Sequence, residues 1–556
     1  MNPYIIGIDF GTNSVRALLI DSATGEEACS STRNYRHGQN GVITDKTDHF
    51  IARQHPVDYI EGLIAVIDEL LANAETLPGF SRSHIKAIGV DTTASTPLPL
   101  DKDARPLGIK QEFSGDINSY AWLWKDHSAH AEADEIVDYV KSHGFDWLDS
   151  YSGWYSPEWF WAKILRCARI APYTSAMAAT WVEQSDFIPL YLTGTANYRD
   201  IKRNACAAGY KDMFNKGYPA PAGLAQLSPE LERIAAGLPS EVIPAGRGIG
   251  NLCPALAGRW GLSDNVVIAS GLIDAHAGAI GAGITPGSLV KNIGTSSCDM
   301  ALMPHDSGQR AIPGISGVVR DGIIPGFYGI EAGQAAVGDI LNWYVTSALY
   351  HDKGIPDEKI HAEMTSLASK YKAGQSGLVA LDWMNGNRNI LMDQRLSGLI
   401  MGQSLSTTPE EVYRSLIEAT GFGARVIIER IKEYKVPIEK IICCGGIAEK
   451  NPLFMQIYTD IFNVPVCVAS SANAPALGAA MAASVAAGIH SNFDEACRCM
   501  VGLPSRSYLP DRNEAEVYDE LYQIYLKLQN AFGQAGHGAD LSPIMKELLQ
   551  LKRRER

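Results

Sequence analysis

Residues 5–21 read IIGIDFGTNSVRALLID, and residues 287–303 read GSLVKNIGTSSCDMALM. Each is an apolar, β-prone run, a polar knot and a second apolar run. The knots share Gly-Thr-x-Ser: Gly11-Thr12-Asn13-Ser14 in the first and Gly294-Thr295-Ser296-Ser297 in the second, displaced by 283 residues (294 minus 11). Taken singly, either knot is a tight turn, because Gly, Asn, Ser and Asp are what turns use. A second pair recurs in the same order. IKAIGVDTTAS (residues 85–95) and IEKIICCGGIA (residues 438–448) are each a short apolar strand ending in a polar or glycine-rich turn. Two echoes in one order predict a duplicated domain.

Duplication changes the reading of the turns. Two related domains can face their Gly-Thr-x-Ser tips across a cleft, so that exposed N–H groups and hydroxyls converge on an anion. Gly11 and Gly294, lacking Cβ, allow close backbone approach. Asp9 is badly placed against bare phosphate but well placed beside a magnesium ion, through that ion's waters.

The rest of the chain bounds the answer. At 556 residues it is too long for one core and predicts two large domains, or three. With 46% hydrophobic and 20% charged residues the chain reads as an ordinary soluble globular protein. A formal charge of −14 argues against a general nucleic-acid or anionic-membrane surface. The ten cysteines form no CxxC pair, which predicts buried thiols in a reducing cytoplasm. No cationic segment followed by an apolar run opens the sequence, and residues 478–489 are too short to span a bilayer.

Strand-like and helical runs alternate, predicting mixed α/β domains. A helix is expected over 55–74, a strand over 85–90, a helix over 408–434, a strand over 438–444 and a helix over 452–462. Beyond about Phe532 a flexible link to one last short helix is expected, with the basic end from Lys552 a solvated helix terminus. The sequence lacks a GxxxxGK[ST] phosphate loop, a GxGxxG fingerprint, an HExxH helix and a GxSxG elbow.

Asp9-Phe10-Gly11-Thr12, the segment Gly271 to Gly278 (GLIDAHAG), Gly294-Thr295-Ser296 and Gly445 to Asn451 (GGIAEKN) resemble the FGGY carbohydrate kinases, in order and over nearly the whole chain. DTTASTP (91–97), LWKDH (123–127), WFWAK (159–163) and FYGIEAGQAAVG (327–338) are most similar to the branch that acts on L-ribulose. The resemblance implies two actin-like, ribonuclease H-like α/β domains around a ligand cleft. Residues 1–285 would carry the sugar side and the base, and 286–556 the ATP side and a helical tail. It further implies transfer of phosphate from ATP, with Mg2+, to the 5-hydroxyl of L-ribulose in L-arabinose catabolism. It leaves room for a homodimer and calls for no nucleic-acid or membrane partner.

Site residues follow by position. Asp274 sits where an acid could simply cap a helix; the family's general base stands there. Thr12, Asn13, Gly294 and Thr295 would contact the β- and γ-phosphates, with Gly11 in the first tip and Asp9 near the metal. Gly445, Gly446 and Asn451 would form the adenosine site, with Ala476-Leu477-Gly478 packed nearby; by local pattern alone this is a turn and an N-cap. Ala94, Trp124, Asp126, Lys211 and Glu331 would hold the sugar, although Lys211 and Glu331 read locally as a surface pair. The tryptophans 122, 124, 154, 159 and 161 suit core and pocket wall equally. The rivals are another FGGY activity (on xylulose, ribitol or D-ribulose), an actin- or chaperone-like ATPase that needs no Asp274, and a catalytically silent sugar sensor.

Overall fold

Tyr4–Phe10 (β1) and Ser14–Asp21 (β2) pair antiparallel about the first tip, where Gly11 N–H donates to the Ser14 carbonyl at 3.0 Å. The computed structural model describes residues 2–307, 311–349, 354–534, 536, 538 and 544–554. Alternation of the β1 side chains decides its two faces. Ile6, Ile8 and Phe10 enter a core with the helix α1, Pro56–Ala74, while Ile5 faces the other domain. Glu27–Asn34 (β3), Ile85–Thr92 (β4), Gly248–Asn251 (β5), Val267–Ala269 (β6) and Leu272–Ile273 (β7) complete the first sheet, ordered β5-β6-β4-β1-β2-β3 with β7 beside β4. The strand expected over 85–90 thus runs two residues further, to an acid and a threonine.

The second sheet repeats this plan. The helix Asp274–Gly281 (α2) leads into Gly287–Ile293 (β8) and Ser297–Pro304 (β9), which have the bounds of β1 and β2 with 283 added to each number. Gly317–Arg320 (β10), Phe327–Ala332 (β11), Ile438–Cys444 (β12), Val466–Val468 (β13) and Arg506–Tyr508 (β14) follow, in the order β10-β11-β9-β8-β12-β13-β14. Even the irregularity recurs: β1 on β4 and β8 on β12 are both parallel pairs with a register shift after the first residue.

Helices of the second half follow the predicted limits. Pro409–Glu433 (α3) begins with a full capping box: Thr408 N–H donates to Glu411 Oε2 at 2.9 Å and Glu411 N–H to Thr408 Oγ1 at 3.4 Å. Pro452–Phe462 (α4), Ala474–Ala486 (α5) and Arg512–Gly533 (α6) come next. The last helix, Ile544–Arg554, is present, but most of the link before it lies outside the described residues. Lys552 is not solvated as expected: its Nζ donates to the Ser376 carbonyl at 3.0 Å and to Glu411 Oε1 at 3.1 Å.

The two halves meet through α2 and α5, which lie between the sheets in a core shared by β1, β4, β8, β9 and β12. Glycines let them approach. A Cβ on Gly478 would stand 1.8 Å from the Ala277 carbonyl oxygen, and one on Gly281 2.0 Å from that of Ala474. On its other side α5 lies directly on Gly7 and Gly89, register partners in β1 and β4. Residues 476–478, which by pattern suit helix packing as well as a place near the adenosine site, make the helix-packing contacts. The small residues that make the α5 sequence look membrane-like exist to admit backbone contact; no described helix is long and apolar enough to cross a membrane.

Candidate active site

Asp274 is the first residue of α2 and follows β7, which runs beside β4. One of its oxygens accepts from the Ala275 N–H at 2.6 Å, so the carboxylate is held at the helix N-terminus. Burial, then the charge of Asp9, raises its pKa to about 6, against the pull of that N–H and of His276 and Lys211. It remains partly open to solvent. An acid tuned this way is still ionised at neutral pH yet basic enough to take a proton.

Asp9 is the penultimate residue of β1 and pairs in register with Asp91 on β4 and Arg16 on β2. The Asp91 carboxyl is wholly buried, with no hydrogen-bond donor facing either oxygen among the described residues. Burial, then Asp9 and Asp274, holds Asp91 well above the usual carboxylate range, making it the neutral member. Asp9 is also raised by burial but drawn down by Asp91 and Arg16, and it keeps the charge. Adding 283 to Asp9 gives Asn292, and adding 353 to Asp91 gives Cys444, which are again register partners. The scaffold is duplicated but the acids are not. The repeated I-G-[IV]-D of residues 6–9 and 88–91 was the signal for Asp91, which sequence reasoning missed as a site residue.

Magnesium needs one or two carboxylates, several waters and phosphate oxygens rather than an all-protein cage. Among the described residues no three His, Cys, Asp or Glu side chains are grouped to hold a metal alone. Asp9, the readier of the two acids to ionise, with Asp91 behind it as the more strongly raised partner, fits that requirement.

The second tip approaches Asp274 from the other domain. Cys298, one residue into β9, feels Asp274, Glu331, Lys211 and Arg388, and burial pushes its thiol up to about 11. Val337 N–H donates to the Thr295 carbonyl at 2.7 Å and Gly338 N–H to that of Gly294 at 3.1 Å, tying the tip to the helix Gly338–Trp343. Gly445, at φ 98°, lies against β8: a Cβ there would stand 2.3 Å from the Ile293 carbonyl oxygen. Gly446 faces open space. Asn451 fulfils the N-cap reading, its Oδ1 accepting from Phe454 N–H at 3.0 Å and its Nδ2 donating to Thr365 Oγ1 at 3.4 Å.

Of the sugar candidates, Lys211 and Glu331 come together, and not on the surface. Lys211 Nζ lies 3.1 Å from Glu331 Oε1, and His276 Nε2 lies 3.1 Å from Glu331 Oε2. Burial opposes the Glu331 charge, but these two cations hold it well below the usual range. His276 itself is raised to about 9, its burial being outweighed by Cys206 and Glu331. Two residues from Asp274 and stacked on Tyr210 (centroids 4.3 Å apart), His276 is a second residue that sequence reasoning left without a role. Glu331 comes from β11 and its cations from the other domain, so the cluster bridges the cleft.

Ala94 and Trp124 are partly open. Trp124 Nε1 donates to Thr12 Oγ1 at 3.0 Å, linking the loop that carries Trp124 to the first tip. Asp126 is different. It is fully buried and ion-paired to Arg53; Oδ2 also accepts from Ala52 N–H at 2.7 Å, and Oδ1 from Ser128 Oγ at 2.6 Å. Its carboxylate is taken up by these partners and holds the loop that carries Trp124. Of the five tryptophans, 122, 159 and 161 are core, while 124 and 154 are partly exposed.

A two-sheet, duplicated α/β fold with an acid at the domain junction defines a class of phosphotransfer protein, and the similarities of the chain give that class. Residues 4–281 match the N-terminal domain, and 289–487 the C-terminal domain, of the FGGY family of carbohydrate kinases; the chain belongs to that family and is a sugar kinase. It is 38% identical over 565 residues to a ribulokinase of Halalkalibacterium halodurans, covering 99% of this chain and 97% of the relative. It is 37% identical over 560 residues to a ribulokinase of Mycolicibacterium smegmatis, covering 98% and 96%. In fold it resembles a xylulose kinase from Rhodospirillum rubrum (TM-score 0.78, 23% identity, 98% and 100% covered). It also resembles Plasmodium falciparum glycerol kinase with ADP (TM-score 0.74, 16% identity, 95% and 98% covered).

Proposed function

We propose that this sugar kinase transfers the γ-phosphoryl group of ATP, with Mg2+, to the 5-hydroxyl of L-ribulose, in the cytoplasm and at the entry to L-arabinose breakdown. The observation that carries the reading is the position of Asp274: a partly exposed carboxylate at a helix N-terminus, between the Asp9 end of one hairpin and the Cys298 side of the other. The ribulokinase names of its relatives support the choice of sugar.

The chain's own residues divide the work. Asp274 accepts the hydroxyl proton as that oxygen bonds to the γ-phosphorus and the bond to the bridging oxygen breaks, releasing ADP. Thr12, Asn13, Gly294 and Thr295 present N–H and hydroxyl donors to the phosphate oxygens. Gly446 leaves room for a flat base, Gly445 lets the turn seat against β8, and Asn451 caps the helix beside them. Glu331, fixed by Lys211 and His276, and the Ala94 and Trp124 loops orient the ketose. Asp9, with Asp91 behind it, would hold Mg2+ through its waters; when bound, the ion neutralises charge on the phosphates. Because Glu331 and its cations lie on opposite domains, a sugar seated there favours closure, which excludes water as the competing acceptor.

The test is ADP release measured against L-ribulose, D-ribulose, xylulose and ribitol, with mass spectrometry of the product and a chelator control. The expected result is the highest kcat/KM on L-ribulose, a 5-phosphate product and loss of activity on chelation. Preference for another sugar refutes the substrate assignment, and ATP turnover independent of all four sugars refutes phosphotransfer to them.

A further inference from the structure

Lys163, on the helix Phe160–Ile170, is fully buried and has no part in the transfer described above. Its Nζ donates to three backbone carbonyls: Ser95 at 2.8 Å, Leu123 at 2.9 Å and Trp122 at 3.2 Å. Three acceptors need three hydrogens, so the ammonium form satisfies them and the amine does not. Glu183, ending the strand Thr180–Glu183, grips the same turn from the other side. It accepts from Ser95 Oγ, and from Thr96 N–H at 2.7 Å. Burial pushes the lysine down and the glutamate up, toward their neutral forms.

The two side chains make no direct salt bridge, and opposite charges buried near each other are a weak source of stability, since apolar residues of similar volume often serve as well. What this pair holds is more informative. Ser95 follows Ala94, and Leu123 precedes Trp124. The two loops that present partly open residues to the sugar side are therefore tied to a single ammonium behind them. Trp124 is pinned at its indole N–H by Thr12; Lys163 supplies the other anchor. Asp126 adds a third constraint on the loop, through Arg53, Ala52 and Ser128.

We propose that the Lys163–Glu183 pair is a positioning device that fixes the spacing of the Ala94 and Trp124 loops and thereby sets sugar affinity and selectivity. The proposal rests on the assignment of those two loops to the sugar. Lys163→Met keeps the length of the side chain but strips the donors from three carbonyls. It is expected to raise the sugar KM about ten-fold or more. It should also narrow the kcat/KM ratio between the best and second-best sugars of the panel, with the ATP KM within about two-fold of wild type. Ser95→Ala removes one hydroxyl facing Glu183 and leaves the ammonium its three carbonyls. It is expected to shift sugar KM the same way by about three-fold.

Both variants are measured on whichever panel sugar the wild type uses best. A preference other than L-ribulose then corrects the substrate assignment and leaves this test intact. Sugar KM unchanged in folded Lys163→Met, or sugar and ATP KM rising together, overturns the proposal. Should Lys163→Met fail to fold, Ser95→Ala decides: a sugar-specific rise in KM upholds the positioning role, and no rise overturns it.

Discussion

Replacing Gly478 by alanine tests whether the crossing of α2 and α5 holds the base in place. The new Cβ would stand 1.8 Å from the Ala277 carbonyl oxygen and 2.9 Å from Gly281 N. Side-chain carbons do not sit closer than 3.0 Å to such atoms, so the helices must part by about 1.2 Å (3.0 minus 1.8) at that point. Both opposing atoms are backbone, and no side chain can rotate away. Overpacking of this kind costs about 1–3 kcal/mol. The displaced helix is α2, whose first residue is Asp274. A misplacement near 1 Å at a reacting group can cost about 10²-fold in rate. Gly478→Ala is therefore expected to lower the chemical-denaturation midpoint and to reduce kcat about ten-fold or more, with smaller changes in either KM. Gly258→Ala is the control. That glycine is exposed in the helix Pro254–Trp260, and its Cβ would meet nothing within 4 Å. Alanine there should stabilise the protein by about 0.4–1 kcal/mol. Wild-type stability and kcat in Gly478→Ala would refute the argument that this crossing positions the base.

Three further outcomes follow from the site. Asp274→Asn should lower kcat by about 10²–10⁴-fold, while calorimetry shows ADP affinity within about two-fold of wild type. In the wild type the Asp274 pKa is raised to about 6, so the base is lost as pH falls through that value. The kcat/KM for sugar should fall about ten-fold per pH unit below it and level off above; a profile flat down to pH 5 would contradict the assignment. Asp126→Asn leaves the fully buried Arg53 without its countercharge, a loss of about 3–5 kcal/mol read from denaturation midpoints.

Much of this molecule was legible in the chain. The paired Gly-Thr-x-Ser knots and the one later echo predicted a duplicated α/β fold because apolar alternation and turn chemistry are local properties. For the same reason β12 and α4 have their predicted limits. Asp274 was legible only by resemblance, since an acid at a helix start is locally just a cap. The site residues that escaped, Asp91, His276 and Lys163, share a cause. Each acts through a partner far away in sequence: Asp9 for the first, Glu331 for the second, and Ser95 and Leu123 for the third. Asp126 went the other way, an acid in a suggestive motif whose charge is consumed by Arg53.

The sequence by itself determined the repeated hairpins, the helix and strand limits and the family, because each depends on neighbours along the chain. Only tertiary structure decided which acid of the Asp9–Asp91 pair keeps its charge, that Lys211 and Glu331 form a buried cross-domain cluster, and that Gly478 exists to seat a helix. Those outcomes depend on burial and on pairings between residues separated by tens to hundreds of positions. Burial shifts a proton equilibrium, and close backbone approach excludes a Cβ, only after the two halves have packed together.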